Sequence, residues 1–142
     1  MTEEVAQRWM STWLKAGDIL MTSEAPLGST VLLMTNLQAC LGQRLFTLRP
    51  NQQLILPEYL YAWLSSAAGQ AALEERSTGT TVKGIRQTEL VKVELPVPEI
   101  SAQRAFLVGW RTLQASRSAV DRRIQAVTSL RNSLLTDVFG GN

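Results

Sequence analysis

Histidine is absent from the 142 residues, and cysteine occurs once, at Cys40. Without histidine the chain lacks the commonest general base and the commonest transition-metal ligand. Ser-His and Cys-His catalysis are thereby excluded. A single cysteine cannot close a disulfide within the chain, and in the apolar run LQACLG it reads as a small hydrophobe. Aromatic residues make up only 6% of the chain. Trp9, Trp13, Trp63 and Trp110 therefore read as core or helix-contact residues before they read as platforms for stacked bases. No apolar run approaches the ~20 residues that span a bilayer. The opening MTEEVAQRWM is acidic where a leader would be basic. A cytoplasmic protein with no membrane partner is the expectation.

Charge of either sign is also sparse, at 18% of residues with a net +2, so the chain is no polycation that coats nucleic acid indiscriminately. Its distribution is uneven. Arg and Lys number eight against ten Asp and Glu up to residue 100, and six against two from Ser101 to Asn142. The basic surplus at the C-terminal end permits polyanion contact there and equally fits a solvated helix face. What is plentiful is hydrophobic residues, 45% of the chain, enough for one ordinary domain with a core.

Val5, Trp9 and Trp13 are spaced four apart, one face of a helix from Thr2 to Lys15. Gly17 breaks it, and Ile19 to Met21 reads as a short strand before the turn EAPLGS. TVLLMT and RLFTLRP read as two further strands. The period then changes. PEYLYAWLSSAAGQAALEERS opens on a proline suited to a helix start and carries Leu60, Trp63, Leu64 and Ala67 at three and four spacing. Val91, Val93 and Leu95 alternate with Lys92 and Glu94, the pattern of a strand with one buried face that ends at Pro96 and Pro98.

From Ser101 to about Val138 there is no proline and one glycine, Gly109. Phe106, Trp110, Leu113, Val120, Ile124, Val127, Leu134 and Val138 follow a four-three spacing, with Arg117 and Arg131 in the two seam positions left polar. This is a heptad pattern. A helix of that length is on the order of 55 Å long, too long to be covered by so small a globule, so the stripe calls for a partner helix in another copy or another protein. The fold class expected is α+β: a small mixed, barrel-like sheet with packed helices over residues 1–98, then one long coiled-coil-type helix over 99–142.

The stretch GTTVKGIRQTEL gathers Thr80, Thr81, Lys83, Arg86 and Gln87 around two glycines. It is either a contact loop, where glycine admits another molecule close to the backbone, or a plain solvated connection. Asp18, a carboxylate after glycine at the start of a strand, reads as a structural group that bonds nearby backbone amides.

The segments AGDILMTSEAPLGS, ACLGQRLFTLRP, PEYLYAWLSS, STGTTVKGIRQTELVKVELPVPEISAQ and LRNSLLTDVFGG occur in an order that resembles the specificity subunit of type I restriction-modification systems, from about Lys15 to Gly140. The resemblance implies a non-catalytic chain: a DNA target-recognition domain joined to a spacer helix. Its partners would be double-stranded DNA, the methyltransferase (modification) subunit and, through the complex, the restriction/translocase subunit. In that family the helices set the gap between the halves of a bipartite site. No Gly-rich cofactor loop and no Asn-Pro-Pro-Tyr-like methyltransferase motif is present, so the adenine chemistry must come from another chain and no cofactor or metal is expected. A full subunit carries two recognition domains, two spacer helices and more strands ahead of GDIL. This chain is therefore expected to be a fragment, a split gene product or a reduced variant. Two copies paired antiparallel through the Phe106–Val138 stripe would restore a two-reader shape.

Under the resemblance, TGTTVKGIRQTEL is a turn and short helix ahead of the last strand. There Lys83 and Arg86 meet phosphates, and Thr80 and Thr81 donate or accept nearby. Gln43 suits a paired bond to adenine and Arg44 one to guanine. Arg44 equally suits a salt bridge at the edge of the core. Ser23 and Glu24, at the tip of the first turn, complete the candidate surface, with Glu24 able to accept from a cytosine amino group; both are otherwise plain solvated residues. The alternative function is an interaction module that docks on methyltransferase or specificity chains through the helix without reading DNA. A self-contained enzyme would have only scattered carboxylates such as Glu74 and Glu75, which read as a charged helix end.

Overall fold

The computed structural model describes residues 13–39 and 41–139. The expected helix over Thr2–Lys15, with Val5 and Trp9, falls almost wholly outside them, as do Cys40 and the closing GGN. Three strands form one antiparallel sheet: β1 (Ile19–Thr22), β2 (Thr30–Leu32) and β3 (Leu45–Leu48), in the order β2-β1-β3. Ile19 lies opposite both Leu32 and Leu48. The period of two puts Ile19 and Met21 on one face of β1, where both are wholly buried. Leu64, Leu73 and Ile85 close the core around them, with Phe46, Leu48, Trp63, Leu90 and Val93 packed against it.

The apolar run from Pro57 makes two helices where the spacing predicted one: α1 (Pro57–Leu64) and α2 (Ala67–Glu75). The break lies at Ser65 and Ser66. Ser66 Oγ accepts from the Gly69 N–H (3.1 Å) and donates to the Trp63 carbonyl (2.7 Å). One hydroxyl thus ends α1 and caps α2, a local competitor that periodicity does not register.

The strand expected over Val91–Leu95 does not form. Gln87–Leu90 is a short helix, α3, followed by a turn and then unpaired chain as far as Glu99. The N–H groups of Val91, Lys92 and Val93 donate back to Gln87, Glu89 and Leu90. Those donors are spent within the turn and cannot enter a ladder. The alternation persists only as packing: Val93 lies against the core while Val91 is exposed.

Asp18 does bond a backbone amide, accepting from the Lys15 N–H (2.8 Å). Its larger partner was not foreseen. Arg49 donates through Nε to Oδ1 (2.7 Å) and through Nη2 to Oδ2 (2.6 Å), and Nη2 also reaches the Trp13 carbonyl (2.9 Å). This fork ties the chain ahead of β1 to the end of β3. The Arg49 guanidinium holds the Asp18 carboxyl below its usual pKa, against burial that pushes it up.

The chain divides into two compact units, Met1–Arg104 and Ala105–Asn142. The described residues of the second belong to α4 (Ile100–Phe139), 40 residues of helix, about 60 Å along its axis. The α+β architecture with one long C-terminal helix is as the sequence implied. In α4, Leu113, Val120, Ile124, Val127, Leu134 and Val138 of the heptad stripe are all more exposed than buried. Phe106, nearer its start, is also exposed, and Trp110 is intermediate. Among the described residues no helix is long and apolar enough to cross a membrane.

Candidate nucleic-acid interface

The loop Gly79–Gly84 is fixed at its base by two short backbone bonds. The Thr78 N–H donates to the Gly84 carbonyl and the Gly84 N–H to the Thr78 carbonyl, both at 2.9 Å. The two glycines serve different ends. Gly79 has φ +104°, and a Cβ there would lie 2.2 Å from the Val82 carbonyl oxygen, so only glycine closes this turn. At Gly84 the issue is approach: a Cβ would meet the Glu24 Cβ at 3.3 Å and the Ser23 carbonyl oxygen at 3.4 Å. The missing side chain lets the loop lie directly on the turn after β1.

That approach continues as a ladder. The Ile85 N–H donates to the Ser23 carbonyl and the Ser23 N–H to the Arg44 carbonyl, each at 2.9 Å. Glu24 forms an isolated bridge with Gly84. Ile85 buries its side chain in the core, so its neighbours Gly84 and Arg86 stay at the surface. The outcome is a shallow depression bounded by Ser23, Glu24, Thr78, Gly79, Val82 and Arg86.

Of the residues singled out from the sequence, Ser23, Glu24, Arg44 and Arg86 are brought together by this ladder, and Lys83 lies on the loop beside it. Thr80 and Thr81 are exposed on the same loop, and Gln43 is exposed in the turn before β3. Arg44 does make a salt bridge, through Nε to Glu24 Oε1 at 2.8 Å, at the surface and not at the edge of the core. Glu24 is therefore not an idle solvated carboxylate. Lys83 Nζ lies 3.4 Å from Glu74 Oε2, which gives Glu74 a partner that the helix-end reading did not supply. Arg86 makes no ion pair among the described residues. Among those residues there is also no group of His, Cys, Asp and Glu side chains that could hold a metal ion.

The family model for the type I restriction modification DNA specificity domain matches residues 10–116. The chain belongs to that family. The matched span contains the whole sheet, the three short helices, the loop–turn ladder and the start of α4. Among curated relatives, this specificity-domain chain is similar to the type I restriction enzyme EcoBI specificity subunit of Escherichia coli, at 21% identity over 99% of the chain and 31% of the relative. Among solved structures it resembles the S subunit of a type I restriction-modification system from M. genitalium, with a TM-score of 0.63 and 20% identity over 92% of the chain and 35% of that subunit. The likeness in structure is one of fold. The chain spans about a third of the length of either relative.

Gln103 is the most telling residue that the sequence did not mark. Lying near the start of α4, it is wholly buried. Its Oε1 accepts from the Leu56 N–H (2.8 Å), while Nε2 donates to the carbonyls of Leu54 (2.9 Å) and Pro98 (2.8 Å). One side chain thus caps α1, whose N-cap residue Leu56 has no side-chain cap of its own, and anchors the first turn of α4.

Proposed function

We propose that this chain is the DNA-reading module of a type I restriction-modification specificity subunit. Itself non-catalytic, it directs methyltransferase and restriction subunits to one half of a bipartite site. Residues 1–98 form the target-recognition domain and 99–142 the spacer helix. The observation that carries the proposal is the ladder joining Thr78, Gly84, Ser23 and Arg44 inside a specificity-family domain. It collects side chains suited to phosphate and base edges that lie far apart in sequence. In this reading Lys83 and Arg86 meet phosphates with Thr80 and Thr81 beside them, and Gln43 and Arg44 reach bases.

The test is selection from a random-duplex pool at near-physiological salt by the chain mixed with its methyltransferase partner, against the partner alone. A short motif enriched only with the chain present is the expected result. A complex that forms but enriches nothing would leave the chain as an interaction module, the reading favoured by the exposed stripe on α4 alone. Gln43→Ala should change base preference at its own position by about 10-fold or more. Lys83→Ala should weaken all sequences alike and lower the slope of log K against log salt by about 1. Equal loss of preference from both substitutions would show that the surface is misplaced.

The stripe Leu113, Arg117, Val120, Ile124, Val127, Arg131, Leu134 and Val138, extended by Phe106 and Trp110, is assigned to helix pairing with a second copy or with another subunit. Ile124→Glu combined with Val127→Glu puts two charges in that seam. It should abolish assembly measured by light scattering while leaving the thermal midpoint of the first unit unchanged. Assembly that survived the double substitution would remove the stripe from the interface.

A further inference from the structure

We propose that Glu24 is a positioning residue for Arg44, and that the two act together to read a guanine. This rests on the DNA-reading assignment above. A guanidinium has five N–H groups: one on Nε and two on each terminal nitrogen. In the recognition pairing for guanine the side chain approaches end-on, and the two terminal nitrogens reach O6 and N7. Nε is not needed for that contact.

Here Nε is the guanidinium nitrogen nearest to Glu24, 2.8 Å from its Oε1 as an ion pair. Among the described residues Arg44 makes no other ion pair, and both terminal nitrogens remain available. The Arg44 side chain is 73% exposed, as a group that must enter a groove has to be.

Both ends of the pair are held by backbone. Glu24 is fixed by its bridge to Gly84, and the Ile85 N–H bonds the Ser23 carbonyl beside it. Arg44 is fixed through its own carbonyl, which accepts from the Ser23 N–H. A free arginine has several rotatable bonds to order on binding, and an anchored one has fewer, so less of the contact is spent on immobilising it. The carboxylate also makes a lone phosphate a poorer partner for Arg44, because the charge is already balanced. A base offering two acceptors in the fork geometry is favoured over backbone phosphate, and discrimination improves through both effects. Lys83 and Glu74 make the contrast. Their 3.4 Å contact involves an ammonium with no fork and fits positioning on phosphates alone.

The consequence is that the target half-site contains a G·C pair read by Arg44, and that Glu24 governs how strictly it is read. The experiment uses the full chain with its methyltransferase partner, first selecting a motif and then measuring duplexes changed one base pair at a time. Arg44→Ala and Arg44→Lys should each lose about 10- to 100-fold of the preference at one G·C position, with the other positions unaltered. Glu24→Gln should lose part of that preference at the same position, roughly 3- to 10-fold, while binding of random-sequence duplex becomes tighter, because a negative charge is gone from the contact surface. A substitution that merely damaged the fold would weaken every sequence together. A motif whose G·C positions are all indifferent to Arg44, or a Glu24→Gln profile identical to the parent, would overturn this inference and leave the DNA-reading assignment intact. Enrichment of no motif by the parent chain would overturn both.

Discussion

Gln103→Leu is expected to lower the unfolding free energy of the chain by about 3 kcal/mol, read as a fall in the urea midpoint at unchanged m. Leucine fits the volume but bonds none of the three backbone groups that Gln103 satisfies. The Leu56 N–H loses its acceptor at the start of α1, and the Leu54 and Pro98 carbonyls lose a donor. Each group left unpaired in a partly buried setting costs about 1 kcal/mol or more. Gln103→Glu separates hydrogen bonding from size. Its carboxylate still accepts from Leu56 but faces two carbonyl oxygens with no proton to offer and carries a charge into a buried site. It should therefore be at least as damaging as leucine at neutral pH. It should recover part of the loss as the pH is lowered and the carboxyl is protonated, since a protonated carboxyl donates again. A Gln103→Leu variant within about 1 kcal/mol of the parent would show that water replaces the side chain and that the start of α4 is held by apolar packing alone.

Why the sequence marks the seam of α4 and passes over Gln103 has a physical answer. The heptad stripe is a local signal, repeated along about nine turns of one helix. Gln103 bonds Leu56, 47 residues away, and Leu54, 49 away, and no spacing within its own helix betrays that. The same division runs through the rest of the fold. β1 was legible because the short apolar run Ile19–Met21 lies between turn residues, Gly17 before it and EAPLGS after it. The alternation of Val91, Val93 and Leu95 is more regular and is not a strand. There the outcome was set by the preceding turn, which takes up the N–H groups that a ladder would need.

For the candidate site, side-chain chemistry was legible and pairing was not. Arg44 and Gln43 stand out by their suitability for base edges, and the glycines around Lys83 by their conformational freedom. That Arg44 is held by Glu24, 20 residues earlier, depends on the Gly84 backbone lying against the turn after β1. The signal that could have found it is Gly84 itself. A glycine between Lys83 and the apolar Ile85, where no chain reversal needs it, marks a backbone that something approaches closely.

The second large effect is expected at the other buried polar side chain, Asp18. Arg49→Met should destabilise the chain by about 2–3 kcal/mol near neutral pH, somewhat below the ~3–5 kcal/mol of a fully buried pair, because Arg49 is 40% exposed while Asp18 is 1% exposed. The substitution leaves a buried carboxylate with only the Lys15 N–H to bond. Asp18→Asn leaves an arginine that can turn to solvent, so it should cost less. The pH dependence separates this account from lost packing. The folded-state pKa of Asp18 is lowered, with the Arg49 hydrogen bonds the largest cause. The stabilisation from the pair is therefore complete above the unfolded-chain value of ~3.9 and is lost as the pH falls through the lower folded-state value. Without Arg49 the carboxyl takes up its proton at a higher pH than in the parent, since burial still opposes the charge. The deficit of Arg49→Met should consequently be constant around neutrality and narrow below about pH 4, as the parent surrenders what the variant has already lost. Denaturant midpoints for the parent and both variants at pH 7 and pH 3 decide it. A deficit of equal size at the two pH values would assign the effect to the apolar stem of Arg49 and remove the ion pair from the account of how β3 is joined to the chain before β1.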